Sequence, residues 1–353
     1  MKKSKYNVAV IGVGAVGIEM LRVLKQRNFP VGELRVFARS ARELEVDGQK
    51  YNVEAISSDG FNGIDIALFA GTEGEKGAAV TYASEAVKRG ALVIDNGADF
   101  RMDPKVPLVV PEVNAQDVKK NKGIIANPNC STIQMVVALW PIYKKVGIKR
   151  VVVTTLQAAS GAGRGAVEQL FSEIKEIMNQ GDTGSLILDS SKNPASSIQH
   201  PASRVLPQQL AYNVFPHIGT FGEFDYTSEE WKLVKETHKI MHDDKIKISA
   251  TTVRVPVRTG HSESIYLETA KPISPENARD ILSQAKGVVV IDDPKKNLYP
   301  MPKDVEGKDE VFVGRIRKDP FVKNGLWLWV VADNLRKGAA TNAVQIAECI
   351  ISN

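Results

Sequence analysis

The spacing of apolar residues changes along the chain. Residues 7–11 (Asn-Val-Ala-Val-Ile) form a short β-branched run, and after a glycine turn Val16, Met20, Leu21 and Leu24 recur at helical spacing. Strand, turn and helix are predicted in that order. Further strands are predicted at about 34–38, 65–69 and 91–94, with a helical stretch near 75–89. Alternation of this kind predicts an α/β fold with a Rossmann-type parallel sheet, helices lying on both faces. After about residue 150 longer strand candidates follow at 150–157, 246–257, 263–270, 287–291, 310–317 and 326–332, several of them alternating. These predict a second, α+β domain with a mainly antiparallel sheet. Helices are predicted at about 164–179 and 228–241, and the polar Ser/Gln/Pro stretch at 190–209 reads as an excursion or interface loop. The last segment, Lys337 to Ile351, is helical, with Val344, Ala347, Cys349 and Ile350 among its apolar positions; the chain carries no internal repeat and no low-complexity tract.

Composition narrows the function classes. The chain has 353 residues, 43% hydrophobic and 25% charged, which suits two folded domains. Lysine and arginine total 46 against 41 acidic residues, a dispersed excess too small for a nucleic-acid or membrane surface. The modest basic bias still suits anionic ligands. Cys130 and Cys349 are the two cysteines, so a reducing compartment is expected and a disulfide framework is not. The run from Asn7 to Gly17 imitates a signal peptide after Met-Lys-Lys, but its glycines, Glu19 and the missing cleavage site argue against one. With no long apolar segment for a membrane span, a cytoplasmic protein is expected.

Gly12-Val13-Gly14-Ala15-Val16-Gly17 matches G-x-G-x-x-G between a predicted strand and a predicted helix. Glycines there allow a tight turn and close approach of a pyrophosphate, whose charge meets the helix N-terminus. The same pattern also occurs as a plain glycine turn. An NAD site usually places an acidic residue at the end of the second strand, where this chain has Ala38-Arg39-Ser40-Ala41-Arg42. Arginine and hydroxyl there suit a 2′-phosphate, so NADP is expected, solvated loop arginines being the alternative.

Asn127-Pro128-Asn129-Cys130-Ser131-Thr132 precedes the apolar helical residues Ile133, Val136, Val137, Leu139 and Trp140, which places Cys130 at a helix N-terminus. The dipole and free amides there are expected to lower the thiol pKa and favour thiolate. A thiolate beside a nicotinamide site implies attack on an aldehyde, hydride loss to NADP and an acyl-thioester released by a second nucleophile. Cys349 is expected to be packing. Among five histidines, His261 stands out as a base because it follows Arg254-Val-Pro-Val-Arg258-Thr-Gly260; His217 and His200 compete, and His238 and His242 lie on a charged helix and are expected to be solvated.

The chain resembles the aspartate-semialdehyde dehydrogenase family over nearly its whole length. The segments that carry the resemblance are Asp99 to Asp103, Val109 to Asn114, Asn127 to Thr132, Gln157 with Ser160 to Gly163, Glu229 to Lys232, Arg254 to Glu263, and Asp333 to Ala340. The resemblance implies that Cys130 forms the acyl-enzyme, that His261 is the acid/base and that Gln157 orients the acyl group. It implies that Arg254 holds the substrate α-carboxylate as a planar bidentate partner. It further implies that Arg101 and Lys232 hold phosphate with Asn129 assisting, and that Glu229 positions Lys232 or contacts the substrate amino group. For NADP it implies Gly12, Val13, Gly14, Ala15, Val16, Gly17, Arg39, Ser40, Ser160, Gly161 and Asn334. The implied reaction converts L-aspartyl 4-phosphate to L-aspartate 4-semialdehyde, the branch-point aldehyde for lysine, threonine, methionine and diaminopimelate. No metal is called for.

Two segments depart from the family pattern. The glycine turn is one residue shorter than the expected Gly-Ala-Thr-Gly-Ala-Val-Gly, and Phe69 to Glu75 places Glu73 and Glu75 where a short Ser/Gly loop is usual. Both bear on cofactor contacts and neither touches the nucleophile. Competing readings are N-acetyl-glutamyl-phosphate reductase, a reductase of coenzyme A thioesters, and a non-catalytic dinucleotide-binding relative. The expected division is an NADP-binding domain at 1–133 and 335–353 and a catalytic and dimerisation domain at 134–334, assembled as a homodimer or homotetramer.

Overall fold

The structure, a computed structural model, describes residues 3–71, 77–179 and 205–352. Glu73 and Glu75, His200 and positions 190–204 of the polar stretch lie outside the described residues.

The first sheet comprises β1 (Tyr6–Ile11), β2 (Val31–Ala38), β3 (Arg42–Val46), β4 (Gln49–Ala55), β5 (Ile66–Phe69), β6 (Leu92–Asp95) and β7 (Ile124–Ala126), ordered β3-β4-β2-β1-β5-β6-β7. Its pairs are parallel except β3 with β4. In β1, Val8 and Val10 face one core and Ala9 and Ile11 the other. A strand buried on both faces shows this two-residue alternation without polar positions. Helix α1 (Ala15–Gln26) covers the first face with Met20, Leu21 and Leu24, and α2 (Ala78–Lys88) covers the second with Ala79, Ala83 and Ala86. The short α3 (Pro111–Asn114) leads towards β7, and α4 (Cys130–Val146) follows it.

The second sheet comprises β8 (Ile148–Gln157), β9 (Lys247–Arg254), β10 (His261–Thr269), β11 (Val288–Val290), β12 (Val311–Lys318) and β13 (Gly325–Ala332), ordered β11-β12-β13-β10-β8-β9. It is mainly antiparallel, as expected, with three antiparallel pairs, and β8 with β9 and β11 with β12 pair parallel. The chain between β8 and β9 contains α5 (Arg164–Asn179) and α6 (Ser228–Met241), a crossover long enough to return a strand in the same direction. Helices α4, α6 and α7 (Pro275–Ser283) cover one face of this sheet, packing Leu139, Leu233 and Leu282 into a core with Val151, Val153, Ile265 and Leu328.

Two local features bear on the expected layout of the chain. The expected domain boundary at 133/134 falls inside α4, which is continuous from Cys130 to Val146. The chain from 337 begins not as an α-helix but as a π-turn, Arg336–Ala340. Beyond the short α8 (Pro302–Val305), the last helix, α9 (Thr341–Ser352), packs Val344 and Ala347 into the core of the first sheet, with Cys349 partly buried against it. Among the described residues no helix is long and apolar enough to cross a membrane.

Candidate active site

The three glycines of the turn after β1 have separate reasons to be there. Gly12 has φ +97°, a left-handed conformation strained for other residues. A Cβ at Gly17 would lie 1.8 Å from the Gly12 carbonyl oxygen, whereas one at Gly14 would meet no atom within 4 Å. Gly14 is thus the open face of the turn. It also caps α1 without any side chain to satisfy the first amides, which leaves the helix N-terminus available to an anion. The short turn thus leaves both the space at Gly14 and the first amides of α1 open.

A cleft of about 1300 Å³ runs from this turn to the second sheet and is lined by all the residues expected at the cofactor and substrate sites except His261. Arg39 and Ser40 stand exposed at its outer end, with the Arg42 guanidinium donating to Ser40 Oγ at 3.4 Å. Gln157 and Arg254 come together because they are paired residues at the ends of parallel strands β8 and β9. His261 begins antiparallel β10 opposite Ala332 of β13, so it and Asn334 reach the same edge. The Asn334 carboxamide fastens this edge, accepting from Gly260 N at 2.9 Å and donating to Ser160 Oγ at 3.0 Å.

Asn129 caps α4, its Oδ1 accepting from the amides of Ser131 and Thr132 at 3.0 and 3.2 Å. Its Nδ2 donates to Glu229 at 2.8 Å, and Gln157 Nε2 donates to the same carboxylate oxygen at 3.1 Å. The other oxygen of Glu229 pairs with Lys232 at 3.3 Å. Burial opposes the charged form of Glu229, yet Lys232, the two amides and Arg101 together hold its carboxyl below the usual range. Arg101 is buried and bound: it donates to Glu236 at 3.1 Å, to the Asn127 carbonyl at 3.0 Å and to the Asn96 carbonyl at 2.7 Å.

The thiol does not behave as its helix position predicts. Burial and then the Glu229 carboxylate push Cys130 up to about 12, against the opposing pull of Arg101, Arg254 and Lys232. The expected lowering fails because burial and the Glu229 carboxylate outweigh the three cations; the Asn129 side chain separately occupies the amides of Ser131 and Thr132.

Arg254 is buried, donates one Nη to the Ala158 carbonyl at 2.7 Å, and has an Nε without a partner among the described residues. A buried guanidinium with an unspent donor is arranged for an anion. Burial lowers its pKa from the ordinary value. His261 is fully buried; its Nδ1 accepts from Ala158 N at 3.1 Å, and its Nε2 has no partner among the described residues. Burial, and secondarily Arg254, lowers the imidazole pKa to about 3. Gly161 makes this closeness possible, since a Cβ there would lie 2.9 Å from the ring and 3.0 Å from Arg254.

The remaining histidines separate clearly. His217 stacks on Phe221, at 4.5 Å between ring centroids. His242 is exposed and pairs with Asp117 at 2.6 Å. His238 is half-buried rather than solvated, because α6 turns its Nε2 onto the Ile246 carbonyl at 2.8 Å. Two residues important to the site escaped sequence reasoning. Glu236 links Arg101 to the α4 cap by accepting from Asn129 N at 2.7 Å, and its seven-residue spacing from Glu229 on one helical face was the available signal. Gly338 packs against Cys130 itself, a tertiary contact with no local signature.

The semialdehyde dehydrogenase NAD binding domain matches residues 7–121, and the semialdehyde dehydrogenase dimerisation domain matches residues 139–337. The aspartate-semialdehyde dehydrogenase of Aquifex aeolicus (strain VF5) is 54% identical across 98% of both chains, and that of Bacillus subtilis (strain 168) is 47% identical across 98% of this chain and 97% of its own. A crystal structure of aspartate semialdehyde dehydrogenase II from Vibrio cholerae, complexed with ASA, superposes with a TM-score of 0.89 at 42% identity, covering 99% of each chain. The Candida albicans enzyme with NADP shares the fold, with a TM-score of 0.69 at 24% identity over 98% of each chain. With its glycine turn, its capped cysteine and two domain models in sequence, the chain belongs to the aspartate-semialdehyde dehydrogenase family.

Proposed function

We propose that this protein catalyses the NADPH-dependent reductive dephosphorylation of L-aspartyl 4-phosphate to L-aspartate 4-semialdehyde, in the supply of lysine, threonine, methionine and diaminopimelate. The observation that carries the reading is the partly exposed Cys130 sharing one cleft with Arg254, whose buried guanidinium keeps an unspent donor. Cys130 attacks the acyl carbon, and Arg254 holds the substrate α-carboxylate, with its planar fork suited to a bidentate grip. Glu229, held charged among Asn129, Gln157 and Lys232, receives the substrate ammonium. Gln157 orients the acyl group. Lys232 and Arg101, with Asn129, meet the phosphate; both cations already act on the sulfur's charge. His261 serves the reacting oxygen as the acid/base.

Gly12 to Gly17, Arg39, Ser40, Ser160, Gly161 and Asn334 would hold NADP, with Arg39 and Ser40 suited to a 2′-phosphate. It supplies the hydride that reduces the thioester. Arginine and serine in place of an acidic residue after β2 support NADP over NAD. The NADP-binding part is 1–133 with 335–353 and the catalytic part 134–334. The active form is a cytoplasmic homodimer, or a homotetramer built from it. Val152, Thr154, Leu156 and Ser264 offer the half-buried sheet face for pairing, on the side of β8 and β10 opposite the core.

The test is phosphate-dependent reduction of NADP⁺ and of NAD⁺ by purified protein with L-aspartate 4-semialdehyde, beside a Cys130→Ala variant. Activity that prefers NADP⁺, requires phosphate and vanishes in the variant is the expected outcome. Inactivity of the folded protein with both cofactors would overturn the reading.

A further inference from the structure

Arg101 sits on a stretch of chain that has neither strand nor helix to fix it. Residues 97–107, which follow β6, form a run of turns in which Arg101 N donates to the Ala98 carbonyl, Asp103 N to the Phe100 carbonyl and Val106 N to the Asp103 carbonyl. Such bonds fold a turn without setting where it stands on the protein. Its place is set from α6. The Lys239 ammonium donates to the carbonyls of Arg101, Asp103 and Val106 at 2.7, 2.8 and 2.8 Å. An ammonium has three protons and no lone pair, so these bonds spend it completely. Lys239 thus has nothing left to offer a ligand directly, and it does not line the cleft that Arg101 and Lys232 both line.

Glu229, Lys232, Glu236 and Lys239 follow one another at helical spacing along one face of α6. Glu229 and Lys232 reach the cleft, Glu236 binds the Arg101 guanidinium at 3.1 Å, and Lys239 binds the Arg101 main chain. Arginine has a long, flexible side chain, so a guanidinium held only at its head leaves the backbone several ways to reach it. A second grip on the carbonyl of the same residue removes that freedom. We propose that Lys239 is a positioning residue for the anion site: it sets the separation between Arg101 and Lys232, and through it the grip on phosphate, without touching the ligand. The proposal rests on the reaction proposed above, in which those two cations meet the phosphate.

The test is Lys239→Met in the full-length enzyme, which keeps an apolar stem and removes all three donors. Lys239→Gln, which keeps an amide donor, stands beside it in case the first variant does not fold, and thermal melting followed by circular dichroism establishes folding. In the assay with NADP⁺, phosphate and L-aspartate 4-semialdehyde, KM for phosphate is expected to rise about tenfold in Lys239→Met, and less in Lys239→Gln, while KM for the aldehyde and for NADP⁺ changes little. A lysine that only supported the fold would disturb all three constants together. A lysine that acted as a remote charge would be screened by salt, so the rise over wild type must persist in about 0.5 M KCl, where charges are felt over only a few ångströms. Collapse of the effect in salt, a uniform change in the three constants, or a wild-type KM for phosphate in a folded variant would overturn this proposal and leave the reaction standing. A wild-type enzyme whose turnover ignores phosphate would overturn both together.

Discussion

A Cβ on Gly338 would lie 2.8 Å from the Cβ of Cys130 and 3.3 Å from its Cα. The π-turn of Arg336–Ala340 thus braces the backbone that carries the nucleophile, from the far end of the chain. Gly338→Ala has to push one of the two main chains aside. A shift of about 1 Å at a reacting atom can cost about 100-fold in rate. We expect kcat to fall on that order while cofactor affinity, measured by fluorescence titration, changes little. Wild-type kcat in this variant would mean that the turn is free to give way.

The thiol of Cys130 is raised by burial and by Glu229. Replacing the carboxylate by an amide removes the second cause, so Glu229→Gln should lower the thiol pKa. A fall of one unit raises the thiolate fraction about tenfold while pH stays below the pKa. Alkylation of Cys130 by iodoacetamide at pH 8 is therefore expected to accelerate by up to about tenfold, even as turnover drops through loss of the substrate contact. A slower alkylation than wild type would show that Glu229 helps the thiolate form.

Glu236 carries two connections at once, accepting from Arg101 through one oxygen and from Asn129 N through the other. Its carboxyl is raised by burial, with Arg101 the main opposing influence. Removing one partner of a buried pair leaves the other uncompensated, at a cost of about 3–5 kcal/mol. Glu236→Ala should lose stability of that size in urea unfolding, with the α4 cap loosened as well. A change under about 1 kcal/mol would mean that the Asn96 and Asn127 carbonyls suffice for Arg101.

How legible the molecule is from its sequence depends on how local each feature is. The strand, glycine turn and helix around Gly12 to Gly17 were readable because their reasons lie within a dozen residues. Helices at 164–179 and 228–241 keep the predicted bounds, helped at Ser228 by the capping box of Thr227 and Glu230. The β3–β4 hairpin escaped, although Asp47-Gly48 joins its two charged strands with φ of +50° and +77°. Arg254, His261, Gln157 and Cys130 could be picked out individually, but the thiol's raised pKa comes from burial and then from Glu229, both of which reach it only in the folded chain. The residue expected to assist phosphate also occupies the amides that were expected to activate the sulfur.

Glu263 lies two positions beyond His261 on β10 and is fully buried, with neither carboxyl oxygen in a hydrogen bond among the described residues. Burial pushes its pKa well above the usual value, with the Gln134 side chain opposing. A carboxyl raised on folding is protonated in both states at low pH, so its folded-state benefit is fully present there. Once pH passes the unfolded value of about 4.3, the unfolded chain ionises while the folded one does not. The unfolded state then binds fewer protons, and stability falls as pH rises until the folded carboxyl itself titrates. Glu263→Gln keeps the shape and removes the titration. Its melting temperature should match wild type near pH 4 and exceed it by a margin that grows towards pH 8. An equal margin at both pH values would mean that the gain comes from packing, and a deficit at pH 8 would mean that the charged carboxylate is itself stabilised in the fold.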